Sequence, residues 1–210
     1  MNIITIRSYI NRMKVMSLNE IFMRFVRFCI NNIISARQCP ASVQLSIEPY
    51  GGEYKEFFLR NYSFCAEETV KTANYIIENK ITIFGNEISF ENSIDWSFDP
   101  VSGYRWPLNK IDYRAIAVDP KYVWELNRQQ FLPVLAKAFF ITGDEKYAQK
   151  ALYFIESWID SNTPFLGINW HHPIEAALRQ ISWLWVMKYV SSSKHMNQTL
   201  LTKIRNSLFT

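Results

Sequence analysis

"DPKYVWELNRQQFLPVLAKAFFITGDEKYAQKALYFIESWIDSN", residues 119–162, is the stretch whose reading decides the fold. Val123, Leu126, Phe131, Val134, Leu135 and Ala138 recur at the spacing of one broad helical face. Gly143 ends that run. Pro133 lies inside it and lacks an amide hydrogen, which predicts a kink within a single helix over 120–142. Asp144 then stands where a helix cap is needed, and Tyr147, Ala151, Phe154, Ile155, Trp158 and Ile159 keep the 3.6-residue period. Two helices joined by so short a turn pack as an antiparallel hairpin.

The same pattern continues downstream. Pro164 and Gly167 interrupt it, and Pro173 opens a third helix at the position where proline is best tolerated. The last segment, "NQTLLTKIRNSLFT", carries Leu200, Leu201, Ile204 and Leu208 at helical spacing, an apolar stripe that predicts further helices and a longer parent protein. Upstream, residues 65–79 read as a helix, and "ITIFGNEISF", 81–90, reads as a short hairpin turning at Gly85-Asn86. "CPASVQLSIEPYGG" is a linker punctuated by Pro40, Pro49 and Gly51-Gly52. Residues 17–34 form a helix opened by the capping box Ser17–Glu20. The fold class that follows is all-α, built of antiparallel helical hairpins with a short extended arm. Residues 1–40 are a basic helical segment, 41–119 a linker, hairpin and aromatic arm, and 120–210 the helical hairpins.

Composition agrees with a folded chain. Of 210 residues, 49% are hydrophobic and only 20% charged, which excludes a disordered polyelectrolyte. The net charge of +4 is concentrated at the start, where Arg7, Arg12, Lys14, Arg24, Arg27 and Arg37 face a single Glu20. Such a basic helix suits a solvated face, a membrane surface or an anionic polymer, and the first is the simplest reading. Nucleic-acid binding would rest on that helix alone and is not expected. Arg24 and Arg27 break the longest apolar runs there, so neither a signal peptide nor a membrane span is expected. Cys29, Cys39 and Cys65 are odd in number and widely spaced, which points to free thiols rather than disulfides or zinc.

The residues with chemical interest cluster in "GINWHHPIEAALRQISWLW", 167–185. His172 and Glu175 could be two ligands on one helical turn, but a catalytic zinc needs three, so no metal is expected. There is no nucleophile elbow, no phosphate-binding glycine loop and no sign of a cofactor. A sugar-type site remains, with aromatic platforms for ring faces and polar groups for hydroxyls. Trp96, Tyr104, Trp106, Trp124 and Trp170 are candidate platforms, whereas Trp158, Trp183 and Trp185 continue helical faces and belong to the core. Trp96 and Trp106 sit in the non-helical arm, where burial is less assured. Asn127-Arg128-Gln129 interrupts an apolar helix and faces either a ligand or solvent. Arg128 could grip a carboxylate with two hydrogen bonds. Glu175 and Arg179, four apart on a helix, are spaced for an ion pair. The first-turn amides after Asn169, Trp170, His171 and His172 would favour an anion such as a uronate.

Several motifs together resemble the N-terminal α-helical domain of the heparinase II/III-like polysaccharide lyases. They are W-x-x-N-R-x-x-x-L from Trp124, T-G-D-E-x-Y-A from Thr142, S-W-I-x-x-N from Ser157, G-I-N-W from Gly167 and E-x-A-x-R-x-x-x-W from Glu175. "IDWSFDPVSGYRWP" resembles the family's W-x-x-D-P-x-x-G-x-x-W-P arm. The resemblance covers residues 94–190, and the basic helix weakly. It implies an incomplete (α/α) toroid whose groove binds an acidic polysaccharide, followed in complete members by a β-sandwich domain. It implies β-elimination at a uronate, with an asparagine neutralising the carboxylate and tyrosine and histidine moving the proton.

The family's catalytic asparagine lies in an Asn-His pair, and residues 1–210 contain no such pair. No catalytic residue is therefore assigned, and the chain alone is expected to be inactive. The substrate-binding residues implied are Asn127, Arg128, Gln129, Asn169, Trp170, His171, Glu175, Arg179 and Trp106. Many relatives carry a histidine where this chain has Gln129-Gln130. The resemblance also implies a bacterial protein of the periplasm, while the absence of a visible signal peptide leaves the cytoplasm open. Two other functions fit the same residues. One is a non-catalytic glycan-binding or scaffold protein of surface-polysaccharide metabolism. The other is a two-carboxylate hydrolase in which Glu175 supplies one acid.

Overall fold

The structure, a computed structural model, describes residues 47–208 apart from 49, 92 and 108–115. The basic helix expected over 17–34 lies outside the described residues, as do Cys29, Cys39 and residues 41–46 of the linker.

Helix α1 (Gly52–Asn61) has no counterpart in the sequence reading. Tyr54, Phe57 and Phe58 stand at helical spacing on it, yet it buries none of its residues, and Tyr54 and Phe57 stay exposed. Helix α2 (Ser63–Ile77) matches the one expected near 65–79 and turns Ala66, Ala73 and Ile76 inward. Strands β1 (Lys80–Ile83) and β2 (Asn86–Ser89) pair antiparallel, with Ile83 opposite Asn86. The turn is Phe84-Gly85, one residue earlier than expected, and both residues have positive φ (47° and 80°). That is the turn geometry whose twist matches a hairpin. Ile81 and Ile83 alternate with exposed neighbours and press one face of the hairpin onto the core.

The aromatic arm is a tight ordered loop. Asp99 Oδ1 accepts hydrogen bonds from the Val101 and Ser102 amides, and Gly103 turns the chain at φ 73°. The two sides then meet: Asp99 N donates to Tyr104 O and Trp106 N to Ser97 O. This is the physical content of the D-P-x-x-G spacing. It brings Trp96 and Trp106 into the protein, where each is 1% exposed. The burial that no helical period assures for these two is supplied by the hydrogen-bonded loop.

Helix α3 (Lys121–Arg128) ends where Gln129 adopts a left-handed conformation, φ 55° and ψ 32°. Helix α4 (Leu132–Thr142) then begins, with Pro133 in its first turn. The single kinked helix expected over 120–142 is thus two helices. A first-turn proline loses no intrahelical hydrogen bond, so the break removes the conflict that a mid-helix proline would create. Helix α5 (Glu145–Ser161) follows Gly143, which is left-handed at φ 77°, and is capped as expected by Asp144, whose carboxylate accepts from Lys146 N at 3.1 Å. A 3₁₀ turn (Ile168–Trp170) leads into α6 (Pro173–Val190), and α7 (Gln198–Leu208) completes the described chain.

Helix α4 is the apolar centre. Leu132, Leu135, Ala136, Ala138 and Phe139 are buried, and the helix packs against α2, α5 and α6. Helix α7 lies on α5 through Leu200 and Ile204. Lys203 Nζ also reaches Glu156 on α5 at 2.8 Å. The architecture is all-α, with the hairpin as a minor appendage. Among the described residues no helix is long and apolar enough to cross a membrane. Trp158 and Trp183 are core as expected. Trp185 is not: it is 47% exposed, because the inward face of α6 is occupied by Trp183, Val186, Met187 and Val190.

Candidate functional site

Three elements meet around residues 167–175: the C-terminal turn of α3, the 3₁₀ turn, and the N-terminal turn of α6. Amide side chains stitch them together. Trp96 O, from the arm, accepts from Asn127 Nδ2 and from Asn169 Nδ2, both at 2.9 Å. Asn127 Nδ2 also donates to Val123 O, and its Oδ1 accepts from Trp158 Nε1 at 2.7 Å. Asn169 Nδ2 donates further to Asn162 Oδ1, and Asn162 Nδ2 donates to Trp158 O. Gln129 Oε1 accepts from Trp183 Nε1. Each bond is made in a buried place, where an unmade one is costly.

Above this network sits a charged layer. The Glu175 carboxylate takes Arg128 Nε at 2.7 Å and Arg128 Nη2 at 3.0 Å, a two-pronged grip between helices α6 and α3. Arg128 Nη1 reaches Glu125 at 2.6 Å. The hydrogen bonds that Arg128 donates to Glu175 hold its pKa above the ordinary value, against the opposing effect of burial. Arg179 does not pair with Glu175 as the helical spacing suggested. Its guanidinium carbon lies 3.8 Å from the Trp158 ring centre and 5.1 Å from that of Trp170. Glu175 is drawn away by the better fork geometry of Arg128, and Arg179 stacks on the aromatic faces instead. Burial pushes the Arg179 pKa down to about 9, with the Glu175 charge opposing. It stays a cation at neutral pH.

The expected binding residues therefore divide in two. Asn127, Gln129, Asn169, Glu175 and Arg179 converge here but are buried, with most of their polar groups engaged inside the fold, Gln129 Nε2 and Asn169 Oδ1 excepted. They support the site and do not face it, which corrects the contact role expected of them. Trp106 is corrected likewise: it lies in a small separate core with Val123 and Ile168, bordered by Tyr104 and Trp124. Facing outward are the edge of Arg128, Trp170, His171 and, beyond that expectation, His172 and Trp124. Trp124 and His172 meet edge to face at 5.2 Å, and His171 and His172 at 4.8 Å. Trp124 is held by its own Nε1 bond to Ile168 O at 3.1 Å. Asn169 Oδ1 and Trp170 Nε1 are buried beneath this surface with no hydrogen-bond partner among the described residues.

Glu125, Asn162 and the Trp96 carbonyl were not singled out from sequence. Glu125 could have been, since it stands three residues before Arg128 on the same helix. Asn162 closes the S-W-I-x-x-N motif, while a backbone carbonyl leaves no signal. The hydrolase alternative loses its acid here. Glu175 is 2% exposed and both its oxygens are held by Arg128.

Comparisons with known proteins follow the same lines. Residues 55–207 match the model of the heparinase II/III N-terminus family. No curated protein sequence matches. Among solved structures, the chain is similar to the crystal structure of heparan sulfate lyase HepC from Pedobacter heparinus, with a TM-score of 0.54 and 18% identity. The match covers 84% of this chain and 24% of that one, and at such identity it speaks to the fold alone.

Proposed function

This chain belongs to the heparinase II/III N-terminus family, and on that footing we propose that it is the substrate-binding part of a polysaccharide lyase acting on uronate-containing glycans. The observation that carries the reading is the surface formed by Arg128, Trp124, Trp170, His171 and His172 over a fully buried support. A sugar has an apolar C–H face and a polar rim. The half-exposed tryptophans suit the first, and the guanidinium and imidazoles suit the second.

Charge balance constrains how an acidic sugar would be held. Arg128 and Arg179 are offset by Glu125 and Glu175, so attraction comes from aimed donors and not from net charge. Three of the five N–H groups of Arg128 take carboxylate oxygens. The other two take no carboxylate among the described residues, and the side chain is one-quarter exposed, which leaves Arg128 able to meet a uronate. Trp170 Nε1 and Asn169 Oδ1, buried without partners among the described residues, are groups that a hydroxyl-bearing ligand could satisfy after a small side-chain shift.

In β-elimination, a group that neutralises the uronate carboxylate acidifies the C5 proton, a base removes it, and an acid protonates the departing oxygen. We assign this chain binding and orientation and none of these proton transfers, so it is inactive by itself. Calorimetry with heparan sulfate and alginate oligosaccharides tests the binding, and ultraviolet absorbance of unsaturated uronate tests the inactivity. Binding that is weakened in Arg128→Ala, with no absorbance rise, is the expected result. Equal affinity in Arg128→Ala defeats the site, and an absorbance rise defeats the inactivity. A longer protein that binds the same glycans without cleaving them would instead establish the scaffold reading.

A further inference from the structure

A second recess lies farther along α6. Trp185 and Tyr189 from α6, Pro133, Val134 and Lys137 from α4, and Thr69 from α2 line an open recess of about 320 Å³, a volume within the range of small-ligand sites. From Glu175 to Trp185 the helix climbs about 15 Å, so this recess is separate from the Arg128 surface.

Two features give it a chemical character. The first is a fixed and open aromatic face. Trp185 is 47% exposed, yet its ring stacks on Tyr189 at 5.9 Å and 24°. Tyr189 in turn packs against Tyr50 and Phe140, at 5.3 Å and 5.5 Å. A large indole held rigid and left open is a platform with little ordering cost on binding. The second is a cation without a carboxylate. The Lys137 ammonium has the Phe58 ring as its contact, at 4.4 Å, and no acidic partner among the described residues. Lys188 and Lys55 lie over Tyr50 and Phe140 of the same aromatic group, at 4.8 Å and 6.0 Å. Thr69 donates its hydroxyl proton to Cys65 O at 2.6 Å, which leaves its oxygen able to accept.

We infer that this recess is a second binding site for an acidic saccharide unit, its C–H face on Trp185 and its carboxylate or sulfate on Lys137. The inference takes its ligand class from the reading of the Arg128 surface, but it stands on different residues. A flat aromatic face with one unneutralised ammonium matches a pyranose carrying one negative group. A neutral sugar keeps the stacking and the Thr69 acceptor but brings no charge for Lys137.

The test is fluorine NMR of the 210-residue chain labelled with 5-fluorotryptophan, in which each tryptophan gives its own resonance. Trp185→Phe, Trp124→Phe and Trp170→Phe assign the relevant ones. Titration with a heparan sulfate octasaccharide is compared with titration with cellohexaose. The expected result is a saturable shift at Trp185 with the acidic sugar only. That shift persists in Arg128→Ala and weakens about fivefold in Lys137→Gln, as one exposed charge pair allows. A still Trp185 resonance overturns the inference, even if Trp124 and Trp170 move and the first site stands. An equal response to cellohexaose, or an unchanged one in Lys137→Gln, overturns it too. Movement at Trp185 alone leaves this recess standing and removes the first site.

Discussion

The Glu175 carboxylate reaches across from α6 to hold Arg128 on α3 by two hydrogen bonds, 2.7 Å and 3.0 Å long, although Arg179 stands four residues away on its own helix. Helical spacing alone points to the nearer arginine. The nearer one stacks on Trp158, and the farther one locks the two helices whose ends form the site. Glu175 thus acts twice, fixing the outward-facing Arg128 and balancing the buried Arg179.

Glu175→Gln should reveal both effects. Loss of a buried charge whose partners remain costs about 3–5 kcal/mol. Glu125→Gln, which removes a partly exposed partner of the same arginine, should cost no more than about 1 kcal/mol. Urea unfolding of the two variants compares them directly. Equal losses would show that the charge of Arg179 is not balanced by Glu175.

Asn127 joins the arm, α3 and α5 through Trp96 O, Val123 O and Trp158 Nε1. Asn127→Ala leaves an indole N–H without its acceptor and opens a small space, so a loss of about 2–4 kcal/mol is expected. Asn127→Asp keeps the acceptor for Trp158 but loses both donated bonds and buries a charge. It should be no better than alanine. Denaturant midpoints of the pair test whether the donors matter, and a near-wild-type aspartate variant would count against the network.

The ends of several helices were legible for particular reasons. Asp144, Gly143 and Pro173 act locally, through one cap, one turn and one missing N–H, and each stands where the sequence placed it. The arm's motif was visible, but the burial of Trp96 and Trp106 depends on hydrogen bonds across a loop that no periodicity encodes. The supporting role of Asn127, Gln129 and Asn169 was not legible, because polarity in a sequence does not distinguish a side chain aimed at a ligand from one aimed at a buried carbonyl. Helix α1 and the exposure of Trp185 were hidden for opposite reasons: the first lacks an apolar stripe that meets the core, and the second continues one that does not.

Gln129 carries the break between α3 and α4, and its left-handed backbone favours glycine. Gln129→Gly would relieve about 1 kcal/mol of backbone strain. It would also leave Trp183 Nε1 without its acceptor, at a cost of about 1–3 kcal/mol, and empty a fully buried side-chain position. The second effect wins, so the variant should be less stable by roughly 1–2 kcal/mol net. A gain in thermal midpoint would mean that the hydrogen bond to Trp183 contributes little and that backbone strain dominates at this junction.

Tyr189 supplies the pH dependence that can be checked. Burial, with the nearby Tyr54 and Tyr50, raises its pKa from 10.0 to about 12. In the unfolded chain the phenol ionises near its ordinary value, while the folded protein keeps the proton longer. Between those two pKa values the folded state therefore binds more protons, and stability falls as pH rises. Below pH 10 the contribution is fully present, and above pH 12 it is gone. Tyr189→Phe should flatten that alkaline limb while leaving the neutral region changed only by the lost hydroxyl. Urea midpoints collected between pH 9 and pH 12, spanning the shift, give the slope. An identical slope in the phenylalanine variant would place the responsible group elsewhere.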